Sequence, residues 1–178
     1  MNRNQFGKFY EDYSDSIYKY IFLLVGNKET AEDLTQETFY RGYNHFDTFN
    51  GKAQIQTWVR KIARNLVYDY YRRKRIIQFI PFISKYDQRD KQLLPNEIIE
   101  KGEELVLLYN ALSKLKLEYK EVLILRKIEG SSIKETAKTL GWTEAKVKNN
   151  TVRALQALKK IIVEGGDIHG EGFRSIIK

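Results

Sequence analysis

Cysteine is absent from this 178-residue chain, and histidine and proline occur only twice each. Without thiols there is no disulfide framework and no cysteine-ligated metal, and the composition suits a reducing compartment. His45 and His169 lie too far apart in sequence for the short ligand spacing of a metal site, so neither a metal nor another cofactor is expected. No apolar run approaches the ~20 residues needed to span a bilayer, and the opening Met1-Asn2-Arg3-Asn4-Gln5 lacks the apolar core of a signal peptide. The expectation is a soluble, cytoplasmic chain that does not itself span a membrane. Glycine-rich phosphate loops, clustered histidines and nucleophile elbows are also missing. The chain therefore reads as a binding protein, not an enzyme, with no small-molecule substrate. Both prolines, Pro81 and Pro95, fall in one central stretch and mark a hinge.

What is present is helical periodicity and unevenly placed charge. Apolar residues make up 42% of the chain, enough for modest cores, and the formal net charge is +8. Residues 1–57 carry a net −2, residues 58–75 a net +6 and residues 104–163 a net +6. Two basic islands beside an acidic segment suit a polyanionic partner together with a second, basic one. A basic protein with merely solvated faces would share this composition, so charge alone does not decide.

The spacing predicts an all-α chain of two small helical domains joined by a flexible linker. Phe6, Phe9, Tyr13, Ile17, Tyr20 and Leu24 make one apolar stripe, closed by Gly26-Asn27. A second helix is expected from about Glu29 to Tyr43, with Ala31, Leu34 and Thr38 on one side. The turn-rich, aromatic segment His45–Lys52 follows. A third helix should open near Ile55 and run to about Arg75, with Trp58, Ile62, Leu66 and Tyr70 each four apart. The period fails from Ile76 to Lys101, although Phe79, Ile80, Phe82 and Ile83 are too apolar for a free tether and are expected to lie in a groove. Helical stepping resumes at Leu105, Leu108, Leu112 and Leu115, then at Val122, Leu123, Leu125 and Ile128. The resulting division is 1–75, linker 76–103, 104–163, and an unassigned tail 164–178.

The segment from Glu129 to Thr143 reads as a helix-turn-helix. Ser132 and Glu135 fit a capping box. Ile133, Ala137 and Leu140 form the inner face of a two-turn helix, Gly141 supplies the turn, and Thr143 caps a longer helix reaching about Val163. On that helix Val147, Thr151, Leu155, Leu158 and Ile162 are assigned to the core. Lys148, Asn149, Val152, Arg153 and Gln156 collect opposite them. Lysine and arginine can donate to guanine or phosphate, asparagine can pair with adenine, and an exposed valine can meet a thymine methyl. A solvated helix with one stray valine is the bland competitor.

The first half narrows the choice. Asp33, Gln36, Glu37 and Tyr40 lie together opposite the second helix's apolar stripe, a face better suited to a basic protein surface than to DNA. The third helix mixes Trp58, Tyr68, Tyr70 and Tyr71 with Arg60, Lys61, Arg64, Arg72 and Arg73. Rings that stack on exposed bases beside cations that track phosphates are the materials of single-strand binding.

With these residues in view the chain resembles the sigma-70 superfamily, specifically the small two-domain extracytoplasmic-function (ECF, group IV) RNA polymerase sigma factors. The matching segments are Ala31–Phe39, Thr57–Asn65 and the helix-turn-helix, in the family's order. The resemblance implies a region 2 helical bundle over 1–75 and a region 4 helix-turn-helix over 104–163. It implies that Asp33, Gln36, Glu37 and Tyr40 bind core RNA polymerase at the β′ clamp helices, with the β flap as a second contact. It implies −10 DNA contacts from the Phe46–Gln56 loop, including Phe46, and from Trp58, Lys61, Arg64, Asn65, Asp69 and Arg72. Lys148, Asn149, Val152 and Arg153 would read the −35 element, the linker would thread toward the polymerase cleft, and an anti-sigma factor is an expected partner. A stand-alone helix-turn-helix regulator, or a factor that docks on polymerase without reading promoters, stays open at this point.

Overall fold

The computed structural model describes residues 3–46, 49, 54–78 and 103–164. The expected apolar linker segment around Phe79–Ile83, most of the loop between Asp47 and Ala53, and the tail beyond Glu164 lie outside the described residues. Every regular element among the described residues is helical. The chain forms two compact units, one holding the first three helices and the other holding the rest.

In the first unit, α1 spans Arg3–Val25, α2 spans Lys28–Asn44 and α3 spans Ile55–Gln78, and each packs against the other two. The Gly26-Asn27 pair divides its labour. Gly26 takes φ 77, the left-handed conformation that ends α1. Asn27, with extended φ −129, instead starts α2, its side-chain oxygen accepting from the Thr30 N–H. Ile17, Tyr20, Ile21 and Leu24 of α1 are fully buried, as are Ala31 of α2 and Val59, Ala63 and Val67 of α3. Each large side chain among them contributes roughly 1.5–3 kcal/mol by burial. Two threonines enter this core without leaving a hydroxyl unsatisfied: Thr35 donates to the Ala31 carbonyl and Thr38 to the Leu34 carbonyl, both at 2.6 Å. At one end Phe6 gathers the rings of Phe9, Phe39, Tyr43 and Phe46 within 6.3 Å of its own. Gly42 lets that ring approach, since a Cβ there would sit 3.3 Å from Phe6 Cζ.

The expected stripes of α1 and α2 are buried, apart from Tyr13, which is half-exposed. On α3 the core face is instead Val59, Ala63, Leu66 and Val67, and Trp58, Ile62 and Tyr70 stand half-buried at its margins.

In the second unit, α4 spans Glu103–Ser113 and α5 spans Leu117–Leu123, with α5 running on into a π-helical turn, Ile124–Ile128. The wider turn shifts the helical register. Ile128, expected inside by its spacing, is consequently 44% exposed. The backbone then closes through Glu129 N–H to the Ile124 carbonyl and Ser131 N–H to the Leu125 carbonyl, both at 2.9 Å, around Gly130 at φ 68. The Arg126 guanidinium donates to the Ser131 carbonyl across this corner.

The Ser132–Glu135 capping box is complete in both directions and opens α6, Ile133–Leu140. Gly141, at φ 66 and ψ 34, makes the tight turn. Thr143 Oγ1 accepts from the Lys146 N–H at 3.2 Å, and α7 runs Glu144–Glu164. The inner faces are more polar than their apolar stepping suggests. Thr136 and Thr139 are buried beside Ala137 and Leu140, while Ile133 is half-exposed. On α7 the buried row is Val147, Asn150, Ala154 and Leu158. Thr151, Leu155 and Ile162, expected inside, are half-buried.

Candidate nucleic-acid and protein interfaces

Burying Ala31, Leu34, Thr35, Thr38 and Phe39 of α2 leaves the other side of that helix to the surroundings. Asp33 and Gln36 are exposed, Glu37 is half-buried and Tyr40 is 64% exposed. Glu37 already holds a cation, the Arg41 guanidinium at 2.6 Å one turn along. Asp33 has no ion-pair partner among the described residues and keeps its carboxylate open to an incoming basic group. Beside this row stand two tyrosines that sequence periodicity did not single out, Tyr10 at 45% and Tyr43 at 41% exposure. The Tyr10 ring meets the buried Phe39 ring edge-on at 4.8 Å. An acid-and-amide row bordered by exposed aromatics can take up a surface that is both basic and partly apolar.

On α3 the exposed row is Lys61, Asn65 and Arg72, with half-exposed Tyr68 completing it. Their steps of four, three and four residues keep them on one side of a helix with 3.6 residues per turn. Arg64 flanks the row with its guanidinium 4.4 Å above the Tyr68 ring, a cation–π stack that offers a flat cationic surface. On the other flank Asp69 pairs with Arg72 at 3.0 Å, holding that arginine along the helix. Trp58 is half-buried, its ring 5.3 Å from Phe49. Six of the seven residues expected to touch −10 DNA, namely Trp58, Lys61, Arg64, Asn65, Asp69 and Arg72, thus sit on or beside one face. Phe46 does not join them. It is 5% exposed with its ring 5.1 Å from Phe6, so in this arrangement it presents no free face to a base. Tyr68 belongs to the face, and its mark in the sequence is its place seven residues after Lys61 and four after Arg64.

The α7 face gathers all four residues expected to read −35 DNA. Lys148, Asn149 and Arg153 are exposed and Val152 is 55% exposed, with Gln156 one turn further on. One feature of this module was not read from sequence. The ammonium of Lys146 lies 4.2 Å above the Trp142 ring and 3.9 Å from the Glu118 carboxylate.

No cluster of three or more potential metal ligands occurs among the described residues. None of the described helices is long and apolar enough to cross a membrane.

Comparison with known proteins assigns both halves. Residues 9–76 match the family "Sigma-70 region 2" and residues 105–158 match "Sigma-70, region 4". The chain is 38% identical over 156 residues to the ECF RNA polymerase sigma factor SigX of Bacillus subtilis (strain 168), covering 85% of this chain and 80% of that one. It is 34% identical over 167 residues to the RNA polymerase sigma factor YlaC of the same organism, covering 89% and 92% respectively. Its fold is similar to that of the sigma factor RpoE from Bartonella quintana, solved in complex with the anti-sigma factor NepR. The TM-score there is 0.70 at 21% identity, over 89% of this chain and 96% of that one.

Proposed function

The chain belongs to the sigma-70 family, as one of its ECF RNA polymerase sigma factors, and we propose how its residues divide that work. Its function is to direct RNA polymerase to promoters, and it supplies no catalytic step of its own. Residues 1–75 serve as the region 2 module and 104–163 as the region 4 module, with 76–103 between them as linker. Asp33, Gln36, Glu37 and Tyr40 dock on basic helices of the polymerase β′ clamp, while the second module meets the β flap. Trp58, Lys61, Arg64, Asn65, Asp69 and Arg72 engage the −10 element, and Lys148, Asn149, Val152 and Arg153 read the −35 element in the major groove. Phe46 acts from the core, by holding the start of its loop. The protein works in the cytoplasm, and the RpoE–NepR complex supports an anti-sigma factor as a further partner here.

Opening the −10 duplex costs a few kcal/mol per unstacked step. Stacking and phosphate contacts return about 1–3 kcal/mol per captured base, so a few aromatic and cationic side chains suffice and no chemistry is required. The observation that carries this reading is the separation of surfaces. Carboxylates and amides crowd one face of α2, whereas cations and rings crowd one face each of α3 and α7. A stand-alone helix-turn-helix regulator would use α7 and leave the other two faces without a purpose.

Run-off transcription with purified core polymerase tests it, because only a sigma factor starts specific RNA without another initiation factor. Arg153→Ala should weaken promoter binding about 5- to 150-fold, the equivalent of 1–3 kcal/mol for one base contact, while binding to core polymerase is unchanged. Asp33→Arg should do the reverse. Equal loss of both activities from either substitution would refute the division.

A further inference from the structure

We propose that Lys146, seated on Trp142 and checked by Glu118, is a sequence-independent phosphate contact that sets how strongly the second module grips any duplex. The inference rests on the reading of α7 as the major-groove helix. The geometry starts from that helix. Residues advance about 100° each around an α-helix. Ala145, Asn149, Val152 and Gln156 therefore cluster about the outward direction, with Lys148 and Arg153 flanking them on either side, each about 70° from the centre. Lys146 lies further round, roughly a quarter-turn from the centre. The major groove is about 12 Å wide and a helix with its side chains fills it. Side chains a quarter-turn from the groove floor then face the phosphate walls and not the base edges.

Two neighbours keep Lys146 at that wall. The Trp142 ring lies 4.2 Å beneath the ammonium and holds it over a fixed surface. Glu118, at the start of α5, stands 3.9 Å away, with about half of each side chain exposed. An ion pair this exposed is weak and easily exchanged, so a phosphate, with its own negative charge, can displace Glu118 from Lys146. Glu118 then faces the same wall as a like charge. Lys146 adds a contact, and Glu118 subtracts from it, whatever the base sequence.

The test uses the full chain assembled with core polymerase, bound to a duplex that this holoenzyme selects from a random library, and to a scrambled duplex, over a salt series. Losing one phosphate contact lowers the slope of log K against log salt by about 0.9. Lys146→Ala should therefore show a change in affinity between ~50 and ~200 mM salt that is about 3.5-fold smaller than wild type's, equally on both duplexes. Glu118→Gln should tighten binding to both, and Trp142→Phe should keep most of the wild-type slope. An unchanged slope in Lys146→Ala, or a loss confined to the selected duplex, overturns the proposal while leaving α7 as the reader. Failure of wild type to prefer any selected duplex would instead remove the underlying reading, and this proposal with it. Circular dichroism and Trp142 fluorescence exclude unfolding. If Lys146→Ala proves unfolded, Lys146→Gln supplies the same comparison.

Discussion

Replacing Lys120 by methionine should stabilise the second unit near neutral pH and flatten its response to alkali. Lys120 is 6% exposed on α5, and burial pulls its ammonium from the ordinary 10.5 down to about 8. Keeping the charged form in the folded state against that gap costs roughly 3 kcal/mol. Because the folded value lies below the unfolded one, the unfolded chain binds the extra proton between about pH 8 and 10.5. Stability of this unit therefore rises with pH across that window, while below about pH 8 the full cost is present. Methionine matches the length of the lysine stem and carries no charge, so it removes both the cost and the window. Urea unfolding in a Trp58→Phe background leaves Trp142 as the sole tryptophan and reports on this unit alone. The Lys120→Met variant should be more stable by up to roughly 3 kcal/mol near neutrality, and the difference should shrink toward zero above about pH 10. A difference that stays constant with pH, or a variant less stable at neutrality, would show that the ammonium's own contacts outweigh the cost of its burial and would refute the reasoning.

Three further outcomes follow from the geometry. Tyr71 donates to the Leu24 carbonyl at 2.8 Å, and its pKa is pushed up to about 12, chiefly by burial and secondly by Tyr70, against a lowering by Lys74. Its stabilising contribution is complete below about pH 10 and is lost as pH climbs toward 12; Tyr71→Phe should cost about 1 kcal/mol at neutrality and abolish that alkaline loss, read from Trp58 fluorescence in urea. Ser132→Ala removes one half of the capping box and should cost about 1 kcal/mol of second-unit stability. Gly141→Ala places a Cβ in open space at φ 66, so its cost is that of the backbone alone, about 1–2 kcal/mol, with no loss of side-chain packing; a larger loss in thermal melts would reveal a contact that the turn does not show.

Much of this fold was legible because its punctuation is local. Gly26, Ser132, Glu135, Gly141 and Thr143 act through their own backbone or the next turn, and each stands where its chemistry predicted a helix end; Asn27, expected to close α1 with Gly26, instead caps the start of α2. The outward rows were legible for a related reason: a polar side chain is informative wherever the opposite side of the helix is plainly apolar. Ile128 was misread because a π-helical turn, of which it is the last residue, leaves no mark in an apolar pattern. The burial of Phe46 was not legible, because an aromatic in a turn-rich segment can equally serve a base or the core, and its packing on Phe6 and Phe49 leaves no mark in the spacing. Lys146 was passed over because its partners, Trp142 and Glu118, lie on a turn and on another helix. Spacing along α7 says nothing of either.

The commonest error, reading residues four apart as one stripe, has a single cause with a consequence for function. A step of four advances about 400°, so each step drifts roughly 40° round the helix. On α3 the drift leaves Trp58 and Ile62 roughly 120° and 80° from the direction shared by Val59, Ala63, Leu66 and Val67, and those four form the core. On α7 the same drift carries Thr151 and Leu155 out and brings Asn150 and Ala154 in. For Trp58 the displacement is what makes it usable. Phe6 packs on Phe46 at 5.1 Å, Phe46 stacks on Phe49 at 6.4 Å, and Phe49 meets Trp58 at 5.3 Å. This line of rings runs from the buried end of α1 to a half-exposed indole beside Lys61 and Asn65. A stacking surface must be held still before a base arrives, since ordering it at that moment would consume the stacking energy. On the proposed reading of this face, Phe46 serves DNA through Phe49 and Trp58 and not by its own ring, which is buried.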